Sequence, residues 1–297
     1  MLFKKLNPLE KIYLKNTNKE AYQNYKYQLK VNDLPSINFL DTPKALVDFK
    51  HSGHLGDIIY AIPAMYALAE SGKVNLHLNI GQKIKVDGNH PLKDIGLNEK
   101  SVEMLAPLLA LQNKFSPINI YNNQVIDYDL DVFRQFPFDY SKGHISRWYF
   151  NCFAVSYDLS KPWLVVPKDT SMSDKIVIAR STRYNSPVID YSILKKYNNL
   201  VFIGLQEEFR LMKAIIPNLE YAEVNNFLEM ASIIAGAKLF IGNQSFPYAI
   251  AEALKTPRML ESYYKCPNVI PEGANGFEFS FQPQFEFLVK KLVAKPL

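Results

Sequence analysis

The segment Phe49-Lys50-His51-Ser52-Gly53-His54-Leu55-Gly56-Asp57-Ile58-Ile59 places two glycines, two imidazoles and a carboxylate in one short run. Gly53 and Gly56 permit backbone shapes and close approaches that a Cβ forbids. A helix beginning near Asp57 offers unpaired N–H groups and a positive dipole end. Two readings of Asp57 are open: a cap for that helix, or a general base that takes a proton from a hydroxyl.

Three runs in the second half could also carry chemistry. Ala179-Arg180-Ser181-Thr182-Arg183-Tyr184 follows an apolar run, and its guanidiniums and hydroxyls suit a diphosphate. A pair of surface salt bridges is the alternative. Gly204-Leu205-Gln206-Glu207-Glu208 offers an acid for ribose hydroxyls, or equally a helix start. Ile241-Gly242-Asn243-Gln244-Ser245-Phe246-Pro247 reads as a strand end, a small polar turn and a helix start, which presents backbone N–H groups to an anion. Ser245 either caps the helix or meets a phosphate.

Other chemistries are excluded or reduced to simpler readings. There is no Gly-x-x-x-x-Gly-Lys-Ser/Thr loop and no Gly-x-Ser-x-Gly elbow. His51 and His54 are too few for a zinc site. Asp127-Tyr128-Asp129-Leu130-Asp131 has the letters of a metal-binding pair, but an alternating strand edge gives the same pattern.

The elements around these residues alternate. Ala45–Phe49 reads as a strand, Asp57–Ser71 as a helix with a bend or late start at Pro63, and Val74–Ile80 as a second strand. A helix is expected over Ser101–Leu111, strands over Ile118–Tyr121 and Val125–Leu130, and an aromatic helix over Ser141–Tyr157. The second half restarts with strands at Lys175–Ala179, Asn199–Gly204, Tyr221–Val224, Lys238–Gly242 and Arg258–Glu261, the last strand expected. Helices are expected over Tyr191–Tyr197, Glu207–Ile215, Asn226–Gly236 and Ser245–Leu254, with a final one at Gln284–Val293. The fold class is α/β: an N-terminal extension (1–43, with a helix around Lys19–Leu29), a Rossmann-like unit (44–167), a second doubly wound unit (175–282) and a C-terminal helix (283–297).

Bulk composition agrees with this. The 297 residues are 48% hydrophobic and 21% charged, with 19 Phe and 18 Tyr against 2 Trp. That is a globular balance, and the length favours two domains. The rings fill cores, and rings also line sugar and base sites. A net charge of +5 suits an anionic ligand such as a nucleotide-sugar, without the dense basic stripe of a dedicated nucleic-acid binder. Cys152 and Cys266 sit in no metal spacing and read as free thiols. The start Met1–Pro8 lacks an apolar run, and no run of about 18 apolar residues follows. A soluble, cytoplasmic protein without a membrane segment, monomeric or dimeric, is expected.

The order of motifs resembles the heptosyltransferase-like glycosyltransferases (family 9, GT-B fold). Gly53–Met65, with Leu-Gly-Asp before an apolar stretch and Pro63, looks like their amino-terminal signature. Ile241–Pro247 with Ala251–Pro257 looks like the carboxyl-terminal one. The resemblance spans about residues 44–280. It implies two Rossmann-like domains facing across a cleft, and inverting, metal-independent transfer from a nucleotide-sugar with no cofactor beyond that donor. It implies Asp57 as base, with Gly53, His54 and Gly56 on the acceptor side. Donor binding falls to Arg180, Ser181, Thr182, Arg183, Gln206, Glu207 (or Glu208), Asn243, Gln244 and Ser245. Gln244, Phe246 and Ala249 depart from the family's acid, glycine and histidine, so either a donor other than ADP-heptose or a diphosphate shifted toward Arg180 and Arg183 is expected. The acceptor is a glycan or lipid-linked glycan; a hydroxylated base in DNA and a non-catalytic sugar-nucleotide binder are the alternatives.

Overall fold

The computed structural model describes residues 5–84 and 94–294; the first four residues of the start Met1–Pro8 lie outside this range. The chain opens with a helical hairpin, α1 (Pro8–Thr17) and α2 (Lys19–Asn32). Only the second of these was expected. The overlooked signal is capping. Asn7 accepts from the Glu10 amide while Glu10 accepts from the Asn7 amide, and Asn18 accepts from the Ala21 amide. The hairpin holds itself together, burying only Tyr25 and adding no residue to either core cluster of the body.

The first sheet is parallel, in the order β3 (Asn119–Ile120), β2 (Lys73–Leu78), β1 (Leu46–His51), β4 (Tyr128–Asp129). α3 (Leu55–Ala69) joins β1 to β2 and α4 (Glu99–Ala110) joins β2 to β3. Val47, Phe49, Val74, Leu76 and Leu78 point into the core, while Asp48, Asn75 and His77 at alternate positions bond to one another. The strand expected over Val125–Leu130 shrinks to Tyr128–Asp129, because Asp129 accepts from the Asp131 amide and turns the chain into a 3-10 helix at Leu130–Gln135. The aromatic helix α5 is shorter than expected, Ile145–Phe153, and ends at Ala154 in the left-handed region.

The second sheet is also wholly parallel: β10 (Gly276–Phe279), β9 (Arg258–Glu261), β8 (Leu239–Asn243), β5 (Ile176–Ala179), β6 (Leu200–Phe202), β7 (Glu220–Tyr221). Counted from β5, this is the 3-2-1-4-5-6 order of a doubly wound sheet. Its central strands β5, β6 and the start of β8 read as continuous apolar runs because both faces are covered. Val177, Val201, Phe240 and Leu260 enter one core cluster, and Ile176, Ile178, Leu200, Phe202 and Met259 enter the other. The helices are α6 (Gln206–Ile215), α7 (Phe227–Gly236), α8 (Phe246–Leu254) and α9 (Gln282–Val293), with a 3-10 helix at Tyr191–Lys196. β9 is therefore not the last strand. β10 is a short edge strand whose four residues carry no long apolar run.

The halves meet along helices, α3 against α8 and α4 against α7. α3 continues unbroken past Pro63, which has no N–H to give the carbonyl of Ile59. Trp163, from the chain that leads to the second half, supplies the missing donor through Nε1 at 3.0 Å, and Ser146 Oγ donates to the next carbonyl, that of Tyr60, at 2.7 Å. Among the described residues no helix is long and apolar enough to cross a membrane.

Candidate active site

Both sheets end their strands in loops that carry the candidate residues. After β1, the chain passes Ser52 and Gly53 and enters α3 at Leu55, so Asp57 lies in the first turn. His54 occupies the capping position and makes no side-chain cap bond there. Asp57 is thus not the cap; it stands on the first turn with its carboxylate about a quarter exposed.

The loop after β4 supplies what holds Asp57. Arg134 reaches Asp57 Oδ2 with Nη2 at 3.5 Å and Asp131 Oδ1 with Nη1 at 2.5 Å. Asp131 also accepts from Ser52 N at 3.0 Å and Ser52 Oγ at 2.6 Å. Burial pushes the Asp131 carboxyl up, but His51, Arg134 and the Ser52 hydrogen bonds together outweigh it and hold it below the ordinary range. Arg134 lies 4.5 Å over the Phe133 ring, and Gly53 makes room for it: a Cβ there would stand 2.4 Å from Nη2 and 2.5 Å from His51 Cε1. A Cβ on Gly56 would meet nothing within 4 Å, so that backbone faces open space.

His51 is buried beneath the turn. Its Nδ1 accepts from the Gly53 amide at 2.8 Å, which leaves the proton of the neutral ring on Nε2, 2.8 Å from Tyr149 Oη. Burial lowers its pKa to about 4. His54 is lowered to about 4 as well, by burial first and then by Arg183 and Arg134. That dependence matters for the geometry, because Arg183 belongs to the second sheet and Arg134 to the first. Burial pushes the Tyr184 hydroxyl up, and the charge of Asp57 adds to that in a small measure.

On the second side the candidate residues divide. Arg183 Nη2 donates to Tyr184 Oη at 2.9 Å, and its buried Nε makes no hydrogen bond. Ser245 begins α8 with no side-chain cap, its Oγ donating to the Asn243 carbonyl at 3.2 Å. Thr182 is exposed, and Ser181 Oγ donates to the Arg183 carbonyl at 3.1 Å. Gln206 and Glu207 are exposed on the first turn of α6, whereas the Glu208 carboxylate accepts from the Leu205 and Thr182 amides.

Three side chains expected at the donor are committed inside the domain. Arg180 forks onto the buried Glu261 at 2.7 and 2.8 Å and stacks 4.5 Å over Tyr191. Asn243, fully buried, staples the loop after β5: Nδ2 donates to the Ser181 and Arg183 carbonyls and to Asn185 Oδ1, and Oδ1 accepts from the Ser181 amide. Gln244 donates to the Cys266 carbonyl and Asn268 Oδ1, and accepts from the Tyr263 amide. These side chains position loops, and their surroundings explain why: each stands where two βα loops must be joined.

Sequence reasoning did not find Ser52, Asp131, Arg134 or Tyr149. A signal existed for two of them. Asp131 and Arg134 stand three apart after the fourth strand of a parallel unit, beside the point where strand order reverses. Among the described residues no cluster of three or more His, Cys, Asp or Glu side chains forms a metal-type group.

No family model and no curated protein matches the sequence. Solved structures match the fold. A family 9 glycosyltransferase from Veillonella parvula superposes with a TM-score of 0.54 at 10% identity, over 87% of this chain and 92% of its own. The heptosyltransferase WaaC of E. coli, solved with ADP-2-deoxy-2-fluoro heptose, gives 0.55 at 10% identity, over 83% and 99%. ADP-heptose lps heptosyltransferase II of E. coli gives 0.53 at 10% identity, over 84% and 98%. The chain thus resembles the family 9 heptosyltransferases in structure and has their two-sheet GT-B fold.

Proposed function

We propose that the protein is an inverting, metal-independent glycosyltransferase that moves a sugar from a nucleotide-sugar to a hydroxyl of a glycan or lipid-linked glycan. The observation that carries this reading is that Asp57, on the first turn of α3, and Arg183, on the loop after β5, each stand at the strand ends of their own sheet while α3 packs against α8. A carboxylate and a guanidinium from opposite strand-end edges are what a base and a leaving-group binder require. Asp57 takes the acceptor proton as the acceptor oxygen bonds to the anomeric carbon. The bond from that carbon to the diphosphate oxygen breaks on the opposite face. The charge left on the diphosphate is met by Arg183 and by the uncapped start of α8 at Ser245, both fixed before reaction. Thr182, Gln206 and Glu207 are exposed toward a nucleoside on the same side. The ADP and ADP-sugar held by the similar structures support a nucleotide-sugar donor here.

A panel of ADP-, GDP-, UDP- and CMP-sugars, read for thermal stabilisation and for nucleotide release in EDTA, tests the proposal. One donor class is expected to do both. Asp57→Asn is expected to keep the stabilisation and lose about 10²–10⁴-fold in release. Full release by Asp57→Asn would remove Asp57 as the base. Stabilisation without release, with glycan acceptors present, would select a second reading, a sugar-nucleotide binder without turnover. The internal commitment of Asn243 and Gln244 favours that second reading.

A further inference from the structure

We propose that Tyr184, Tyr263 and Tyr264 form an aromatic track that seats a glycan of three or more sugar units leading away from Asp57. The track rests on the glycosyl-transfer reading only for the reaction at its inner end. Tyr184 marks that end. It takes a left-handed backbone conformation, φ +56°, which a tyrosine adopts only where its surroundings impose it. Arg183 lies 4.9 Å over its ring and holds its hydroxyl. The Tyr263 ring is 6.1 Å from Tyr184, and the Tyr264 ring is 5.3 Å from Tyr263. Tyr264 is 62% exposed, and Lys265 Nζ stands 5.5 Å from its centre.

This loop follows β9 and is fastened from both sides. Gln244 clamps its ends through Tyr263 N and Cys266 O, at 2.9 and 2.6 Å. Asn268 then ties it to the first half, donating to the Tyr140 carbonyl at 3.0 Å and accepting at its own carbonyl from Ile145 N at 3.2 Å. A large exposed ring on a loop so constrained is preorganised for a ligand rather than recruited to a core. A pyranose has an apolar C–H face that packs on such a ring and a rim of hydroxyls that Lys265 can meet. The rings are tilted 57° and 63° to one another, so each offers a separate facet. A chain of sugar rings that turns at every linkage fits that arrangement. A stack of parallel bases does not, and a single strand would also call for a cationic groove along its backbone.

The test uses the full chain on an array of free monosaccharides and oligosaccharides, with nucleotide-sugar stabilisation measured in parallel. The wild type is expected to hold glycans of three or more units and not monosaccharides. Tyr264→Ala is expected to weaken that retention about tenfold, Tyr264→Trp to preserve it, and both to keep nucleotide-sugar stabilisation. Retention of no glycan, or equal retention by Tyr264→Ala, would overturn the track. Loss of nucleotide-sugar stabilisation in Tyr264→Ala would overturn it in favour of a donor-base platform. An oligo(dT) gel shift abolished by Tyr264→Ala would overturn it in favour of nucleic acid. If the wild type releases no nucleotide yet its glycan retention depends on Tyr264, the track stands and the transfer reading falls.

Discussion

At the scale of single residues, the two glycines of the β1–α3 turn serve different ends. Gly53 is crowded by Arg134, His51 and Asp57, while Gly56 borders open space. Gly53→Ala should therefore destabilise the fold by about 1–3 kcal/mol through overpacking. Gly56→Ala should instead stabilise it by up to about 1 kcal/mol, since alanine restricts the unfolded chain and suits a helix. Urea denaturation of both variants checks the sign. A Gly56→Ala protein that is more stable yet impaired in transfer would show that the open space belongs to a substrate. Arg134→Met should cost about 1.5–3 kcal/mol, because Asp131 loses a charged hydrogen-bond partner. The residues flanking each glycine were legible in the sequence, since Gly-His-Leu-Gly-Asp carries its own turn and helix start. Arg134 was not: it meets Asp57 only after the chain has crossed three further strands. Arg180 and Arg183 look equivalent in sequence, and only a buried glutamate 81 residues onward separates their roles.

At the scale of elements, α3 depends on a residue far outside it. Trp163→Phe removes the donor to the Ile59 carbonyl and should cost about 1–3 kcal/mol for the unsatisfied acceptor. Pro63→Ala restores a helical N–H to that carbonyl. The double variant should therefore lose less than the sum of the two single changes, a coupling that a double-mutant cycle by denaturant melts would read. The sequence showed most strands because buried parallel strands are continuous apolar runs, as in Ile176-Val177-Ile178-Ala179. It missed β10 and overextended β4, where pairing to a neighbour rather than composition defines the strand. It missed α1, whose stability comes from caps and from α2 rather than from a buried stripe.

For the whole molecule, His51, His54 and His144 respond together to acid. Burial lowers each of them to about 4 from an ordinary 6.5. Between those values the unfolded chain binds protons that the folded chain refuses, so stability is full above about pH 6.5 and falls as the pH drops toward 4. Thermal melts across pH 7.5 to 4.5 should show that decline; a flat profile would contradict the burial of these rings. Deleting residues 1–33 should leave the melting temperature of the body unchanged, because no residue of the hairpin enters either core. The larger core cluster has another consequence. It takes in Val47 and Ile62 of the first half and Val177, Phe240 and Ala253 of the second without a break. Calorimetry should then show one endotherm whose van't Hoff and calorimetric enthalpies agree, the halves melting as a single thermodynamic body.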